Sequence, residues 1–348
     1  MRVLVTGHDG YIGKALVPLL QAAGHEVVGL DIFLYEDCTF GKPSPEIPAI
    51  RADIRDVSVE QLQGFDAIAH LAAISNDPVG ELNRSTTMSI NYEGTEHLGR
   101  IAREAGVERF VFSSSCSLYG AGGQDALDES ATFNPVTAYG ESKVLAEQAL
   151  SALADESFSP IYLRNATAYG VSSRLRADLV VNNLVGYAVL TGEVLMKSDG
   201  TPWRPLIHIE DIARAFVAVL EADRAAVHDE AFNVGRTEEN YRIRDVARIV
   251  EEVVPGSRVV LADTAGPDLR NYRVDCSKIA RVLPDFRPVW TVRSGAEQLY
   301  AAYQSVGLTR DAFEGGALSR IRHVRSLIEA GRLDETMRWR CETPLATR

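Results

Sequence analysis

Residues Val3 to Leu16 read VLVTGHDGYIGKAL: an apolar, β-branched run, a T-G-x-x-G-x-x-G pattern from Thr6 to Gly13, then residues that favour a helix. Such a segment turns sharply from strand to helix. Glycine serves two purposes at a turn of this kind, a positive φ and the close approach of another backbone or of a pyrophosphate. By itself the segment leaves both open, and residues further along the chain decide between them.

The strand HEVVGLDI follows the helical stretch KALVPLLQAAG and closes a β-α-β unit, the Rossmann unit. Gly7, Gly10 and Gly13 therefore follow a strand and open a helix, the context in which this spacing binds a dinucleotide. Asp31 ends the second strand, 18 residues beyond Gly13. A carboxylate there accepts hydrogen bonds from the adenosine ribose hydroxyls and repels a 2′-phosphate. No arginine lies in the glycine loop or directly after Asp31, so the pattern predicts NAD rather than NADP.

The alternation continues outward. AIRADI, FDAIAHLAAI, ERFVFSSS and SPIYLRNA read as strands, with helical patterns near Ser89 to Glu104 and about Tyr139 to Leu153. Roughly six or seven parallel strands are expected. The fold class is α/β, a doubly wound Rossmann sheet with a smaller, mostly C-terminal α/β substrate domain. Residues 1–171 with about 205–235 are assigned to the dinucleotide-binding domain, and about 172–204 with 236–348 to the second domain and a helical tail. Past Gly170 the pattern loosens into turns and short helices, and an arm, DGTPWRPLIH, leads to the helix IEDIARAFVAVLEA. Thr309 to Trp339 reads as helical and amphipathic, with packing or an oligomer contact as its expected role.

Composition narrows the partners. The chain has 348 residues, 46% of them hydrophobic, and a formal net charge of −12 with no Lys/Arg block, which argues against nucleic acid or an anionic membrane surface. A strand begins at Arg2 and no apolar run approaches the ~18 residues needed to cross a bilayer, so no targeting or membrane segment and a cytoplasmic location are expected. Cys38, Cys116, Cys276 and Cys341 have neither metal-ligand spacing nor a small secreted scaffold around them, and read as reduced thiols with no metal site.

The second decisive stretch is Tyr139-Gly140-Glu141-Ser142-Lys143, which sets a tyrosine and a lysine one helical turn apart on one face. A free tyrosine has a pKa of about 10, too high for a base at neutral pH, and a neighbouring ammonium lowers it by stabilising the phenolate. Pairs at this spacing are common on helix surfaces. This one follows FVFSSSCSLYG, with Ser115 24 residues before Tyr139.

Taken together, T-G-x-x-G-x-x-G, S-S-S and Y-x-x-x-K resemble the motifs of the extended short-chain dehydrogenases/reductases, specifically the nucleotide-sugar epimerase/dehydratase family, over about residues 1 to 290. The resemblance implies Tyr139 as acid/base, Lys143 as the support of both Tyr139 and the nicotinamide ribose, and Ser115 as a hydrogen-bond partner of the sugar hydroxyl or carbonyl. It implies NAD bound by Gly7, Gly10, Tyr11, Ile12, Gly13 and Asp31, with Asp53 and Ile54 flanking the adenine. Leu71, Ala72 and Ala73 then lie beside the cofactor diphosphate, and Asn91 is a cofactor-side or helix-bracing asparagine.

For a nucleotide-diphosphate sugar the resemblance implies Thr167, Asn183, Arg204, Asp268 and Arg270. Thr167 stands where the family has an asparagine, and Ala265 where R-P-G-D has its arginine, with Arg270 as a substitute, which leaves the sugar and the base open. Apolar residues around Val194 to Met196 suit a slot for a flat base. The resemblance also implies a homodimer built on two helices, whose Leu98, Ile101, Leu145 and Leu150 are explained equally well by burial within one subunit.

Sugar 4,6-dehydratases of this family carry T-D-E before V-Y-G, and here Cys116 and Ser117 replace the acidic pair. Decarboxylating members keep a glutamate at the Ser117 position. The implied chemistry is redox at a carbinol carbon: C4 epimerisation through a transient 4-keto sugar with retained NAD. An NAD(H)-dependent 4-ketoreductase, a dehydratase and a non-catalytic NAD-binding sensor are the alternatives, and Cys116 is expected to be a small buried residue.

Overall fold

In the computed structural model, which describes residues 1–75, 77–121, 125–266 and 270–340, Arg2–Thr6 (β1) lies near the middle of a seven-stranded sheet. The other strands are Glu26–Asp31 (β2), Ala49–Arg51 (β3), Ala67–His70 (β4), Arg109–Ser115 (β5), Ser159–Asn165 (β6) and Glu230–Val234 (β7). Their order is β7-β6-β5-β4-β1-β2-β3, and every neighbouring pair is parallel. The chain runs outward from β1 to β3 and then returns to start again at β4. A crevice opens at the carboxyl ends of β1 and β4, where the strand order reverses.

A parallel sheet is covered on both faces, so its strands are apolar throughout. Val3 and Val5 pack against Leu16 and Leu20 of α1 (Gly13–Ala22), while Leu4, pointing the other way, joins Leu98 and Ile101 of α2 (Gly94–Glu104) and Leu150 of α3 (Ala138–Ser151). The first face is completed by Phe216 and Val219 of α4 (Ile209–Glu221). Leu98, Ile101 and Leu150, candidates for a dimer contact, are thus spent on the chain's own core; Leu145 is half-buried. Arg84–Met88 and the wider π turn Ser89–Glu93 lead directly into α2.

Two smaller sheets stand over the carboxyl end of the large one. Thr167–Tyr169, Trp203–His208 and Asn240–Arg242 form one, and Glu193–Ser198 with Arg258–Gly266 the other. The helix Val180–Thr191 packs with them around a separate core that includes Val181, Leu184, Val194, Val250, Leu299 and Phe313.

The C-terminal stretch is not one amphipathic element. Gly315 turns so tightly that a Cβ would stand 2.2 Å from the Asp311 carbonyl oxygen, and the chain breaks into Arg310–Glu314 and α5 (Arg320–Glu329). Phe313 enters the second core, whereas Val324, Leu327, Leu333 and Met337 enter the core beneath β1 and β2. Among the described residues, no helix is long and apolar enough to cross a membrane.

Candidate active site

The glycine turn is dictated by backbone contact. Gly7 has φ +71°, and a Cβ on it would lie 2.7 Å from the Ala72 nitrogen; one on Gly13 would lie 2.5 Å from the Gly7 carbonyl oxygen. The turn therefore brings the loops after β1 and β4 together and starts α1 beside them. No side chain caps that helix and no acidic residue occupies its first turn, so its amino end is available to an anion. A Cβ on Gly10 would meet only the Gly7 carbonyl within 4 Å, which leaves Gly10 open toward the cleft.

Asp31 is fixed by the same loop. Its carboxylate accepts the Asp9 amide at 3.0 Å and the Phe33 amide at 2.8 Å. Burial outweighs those bonds and pushes its pKa up to about 6. Asp9 in turn pairs with Lys14 at 2.6 Å and with Arg174 at 2.9 Å, which ties the glycine turn to the loop that follows Tyr169. The uncapped helix, the open Gly10 and the Asp31 carboxylate make a donor and acceptor set that fits a dinucleotide.

A continuous cleft of about 1110 Å³ runs from there between the large sheet and the smaller ones. A single small-molecule site usually occupies ~300–1,000 Å³, so this one has room beyond one ligand. Its walls bring together Gly7, Gly10, Tyr11, Ile12, Gly13, Asp31, Asp53, Ile54, Leu71, Ala72 and Ala73 with Ser115, Tyr139, Lys143, Thr167, Asn183, Arg204 and Arg270. Asp53 is held below the usual carboxylate range: burial opposes this, and the Arg55 side chain and amide, at 2.9 Å, overcome it.

Among the described residues one expected site residue, Asn91, is not on these walls. Asp268 lies outside the described residues. Asn91 is fully buried on the π turn, where its amide clamps the Ile74 backbone with bonds of 2.8 and 3.0 Å and donates to Ser142 at 3.2 Å. With its side chain occupied by the loop after β4 and by α3, Asn91 takes the helix-bracing place of its two expected ones and supports the cleft from behind.

At the inner end of the cleft, Thr137 caps α3 by accepting the Gly140 amide at 3.1 Å and so aims Tyr139 and Lys143 inward. Lys143 is 2% exposed. Its Nζ donates to the Ser113 carbonyl at 2.7 Å and sits 4.4 Å from the Phe112 ring centre and 5.6 Å from that of Tyr139. Burial brings its pKa down to about 7, against the upward pull of Glu147 one turn later. Glu147 is engaged by Arg164, at 2.7 Å, and by the Ser114 hydroxyl.

Ser115 is half-buried, and its Oγ accepts the Ser117 amide at 3.1 Å. Cys116 points away from the cleft: its thiol donates to the Arg164 carbonyl at 3.0 Å, and burial raises its pKa. Ser117 lines the cleft, and its Oγ has no partner among the described residues. The sequence signal for Ser117 was its place two residues after Ser115, on the same side of the chain. Other wall residues come from loops without any motif, among them Arg176, which donates to Ser75 Oγ at 3.0 Å, and Glu81, which accepts the Ala138 amide at 3.5 Å.

At the outer end Arg204 is buried on Trp203–His208. Its Nη1 donates to the Trp203 carbonyl at 2.7 Å and to that of Arg270, and the Tyr272 ring centre is 5.8 Å away. Asn183 Nδ2 donates to the Ala177 carbonyl at 2.7 Å. Leu195 and Met196 line the cleft, whereas Val194 turns into the second core.

A model of the NAD dependent epimerase/dehydratase family matches residues 3–235. The chain is 29% identical over 334 residues to UDP-glucose 4-epimerase of Bacillus subtilis (strain 168), covering 86% of this chain and 95% of that one. It is 32% identical over 246 residues to UDP-glucose 4-epimerase of Mycolicibacterium smegmatis, covering 68% and 77%. Among solved structures, MoeE5 in complex with UDP-glucuronic acid and NAD has a TM-score of 0.76 at 27% identity, covering 88% of this chain and 100% of MoeE5.

Proposed function

The chain belongs to the NAD-dependent epimerase/dehydratase family, and on that premise we propose that it is a nucleotide-sugar C4 epimerase working through a transient 4-keto sugar. The observation that carries this reading is the layout of one cleft, with Ser115, Tyr139 and Lys143 at its inner end and Asn183, Arg204 and Arg270 at its outer end. A diphosphate held at the outer end presents its sugar to the acid/base group.

NAD, held by the glycine turn and Asp31, supplies a hydride acceptor and donor at the carbinol carbon. Ser115 orients the C4 hydroxyl, and Tyr139 takes its proton. The Lys143 charge stabilises the Tyr139 phenolate that accepts this proton, an interaction strengthened by the burial of the amine. Arg204, whose planar fork suits a diphosphate, keeps the nucleotide in place while the 4-keto sugar turns about its diphosphate link. Tyr139 then returns the proton to C4 oxygen with the other face exposed, and no cofactor is consumed.

In this reading residues 1–171 with about 205–235 carry NAD, and about 172–204 with 236–348 carry the sugar nucleotide. The enzyme is cytoplasmic, and two chains pair through the outward faces of α2 and α3; a single-chain mass by light scattering would reject the pairing. Dehydration is the second reading. It requires a carboxyl group beside the sugar, which Cys116 and Ser117 do not supply; on this reading the carboxyl would be that of Glu81, which lines the cleft at the start of α3.

The test is a panel of nucleotide-linked hexoses, hexuronates and deoxyhexoses deuterated at C4, incubated without added reductant and followed by NMR. A C4 epimer that retains its label is expected. Loss of the label during turnover, or strict dependence on added NADH, overturns the epimerase. A stable 4-keto-6-deoxy product with solvent hydrogen at C5 establishes the dehydratase instead.

A further inference from the structure

The stretch from Arg320 to Trp339 lies beyond the residues matched by the family model. It crosses the carboxyl ends of β2 and β3, the end of the cleft that holds Asp31, Asp53 and Ile54. The Trp339 indole donates to the Ile32 carbonyl at 2.7 Å, and His323 Nε2 bonds the Leu34 carbonyl at 2.8 Å. Arg55 donates to the Thr336 carbonyl at 3.0 Å, Arg338 pairs with Asp56, and Thr86 donates to the Glu335 carbonyl at 3.0 Å. The segment therefore pins together the loops after β2 and β3 and the start of the helical run before α2.

Two of its side chains reach the cleft, Met337 and Arg320. Met337 is 1% exposed, has φ +59°, and packs in the cluster that contains Leu34 and Ile54. A non-glycine residue in the left-handed region is held there by its surroundings. In this case two neighbouring anchors, Arg338 on Asp56 and Trp339 on Ile32, hold it.

Arg320 is 3% exposed. Its Nη2 donates to the Arg174 carbonyl at 2.9 Å and its guanidinium carbon lies 3.9 Å from the Tyr35 ring centre, beside the Cys38 thiol. Nη1 has no hydrogen-bond partner among the described residues, and no carboxylate among them pairs with the side chain. Arg164 and Arg174, also buried, are paired with Glu147 and Asp9, and the half-buried Arg176 is paired with Asp178. A buried cation with no directly paired carboxylate is costly: burial and the like charge of Arg176 outweigh the attraction of Asp178, which Arg176 already holds, and lower its pKa. Through Arg174, whose guanidinium grips Asp9, Arg320 is one residue removed from the glycine turn.

We propose that Met337 and Arg320 are dinucleotide-binding residues, Met337 as an apolar wall for the adenine and Arg320 as a donor to a phosphate oxygen of NAD, which makes the C-terminal segment part of the cofactor site. The phosphate supplies Arg320 Nη1 with a directly bonded counter-charge. A guanidinium already aimed into a water-poor cleft binds an anion without first losing its own freedom. The inference rests on NAD as the cofactor and is independent of which sugar reaction follows.

The test is calorimetric titration of NAD and, separately, of UDP into enzyme stripped of nucleotide. Arg320→Met is expected to weaken NAD by about ten- to a hundredfold, the worth of one charge-assisted hydrogen bond, and to leave UDP unchanged. Arg320→Lys should stay within about tenfold of wild type, since it keeps a donor and a charge but not the fork. Met337→Ala should weaken NAD about three- to tenfold through lost apolar contact. Unaltered NAD affinity in both Arg320→Met and Met337→Ala overturns the proposal, as does an equal loss for UDP and NAD, which would place the effect in the fold. If wild type binds NAD but not UDP, the nucleotide-sugar reading fails in its base and the NAD comparison stands, with melting temperatures as the check on folding.

Discussion

Lys143 Nζ is bonded to the Ser113 carbonyl at 2.7 Å while standing 5.6 Å from the centre of the Tyr139 ring. The lysine is thus anchored to the end of β5 rather than to the tyrosine it serves. Its position is set by the sheet, and Tyr139 is set against it by one turn of α3.

Tyr139→Phe removes a single hydroxyl from this arrangement. Turnover should fall by ~10²- to 10⁴-fold, the range for a positioned acid/base, with NAD affinity nearly intact. Lys143→Met should lower both, because the lysine serves both. Steady-state rates with calorimetry of NAD check this, and near-normal turnover in Tyr139→Phe removes the acid/base assignment.

The depressed pKa of Lys143 has a signature in stability. Folded, the amine loses its proton near pH 7; unfolded, it holds it to about 10.4. Between those values unfolding takes up a proton, so stability rises with pH, by at most ~1.4 kcal/mol per pH unit from this group. Below about 7 both states are protonated and the slope vanishes. Urea unfolding of NAD-free enzyme from pH 6 to 10 should show a steeper rise in wild type than in Lys143→Met, and identical slopes would refute the shift.

Asp31 governs cofactor choice by charge. At pH 8 NAD should bind well over tenfold tighter than NADP, since an unscreened carboxylate beside a phosphate costs more than ~1.4 kcal/mol. Because burial raises its pKa to about 6, the carboxyl becomes neutral as pH falls through that value, and the preference should shrink at pH 5. Asp31→Ala should show the smaller preference at both pH values. A pH-independent ratio of affinities in wild type would contradict the role.

Arg164 and Glu147 form a buried pair behind Lys143, 5% exposed each. Arg164→Met leaves the Glu147 carboxylate without its counter-charge and should cost about 3–5 kcal/mol in denaturant unfolding. A loss under ~1 kcal/mol would show that the pair relaxes into water.

Cys116 is the converse case. Its thiol faces the Arg164 carbonyl outside the cleft, so Cys116→Ala should keep turnover within about twofold while costing ~1 kcal/mol of stability. A hundredfold loss of turnover with an unchanged melting temperature would instead give the thiol a chemical role.

The features legible in the chain alone are those that short-range geometry carries. The β1 turn and α1, the carboxylate at the end of β2, and the Tyr139–Lys143 pair each lie within one β-α-β unit or one helical turn, where strand and helix periods alone fix which side chains share a face. The parallel sheet follows, because strands apolar on both sides alternate with helical stretches. The tertiary structure set the Asn91 side chain on the Ile74 backbone and packed Leu98, Ile101 and Leu150 into the chain's own core. It alone laid Arg320 and Met337 across the cofactor end of the cleft, through contacts such as His323 with Leu34 that join residues nearly three hundred positions apart. Apolar burial drives such meetings without direction, so an amphipathic pattern announces that a face is covered but not by which distant surface.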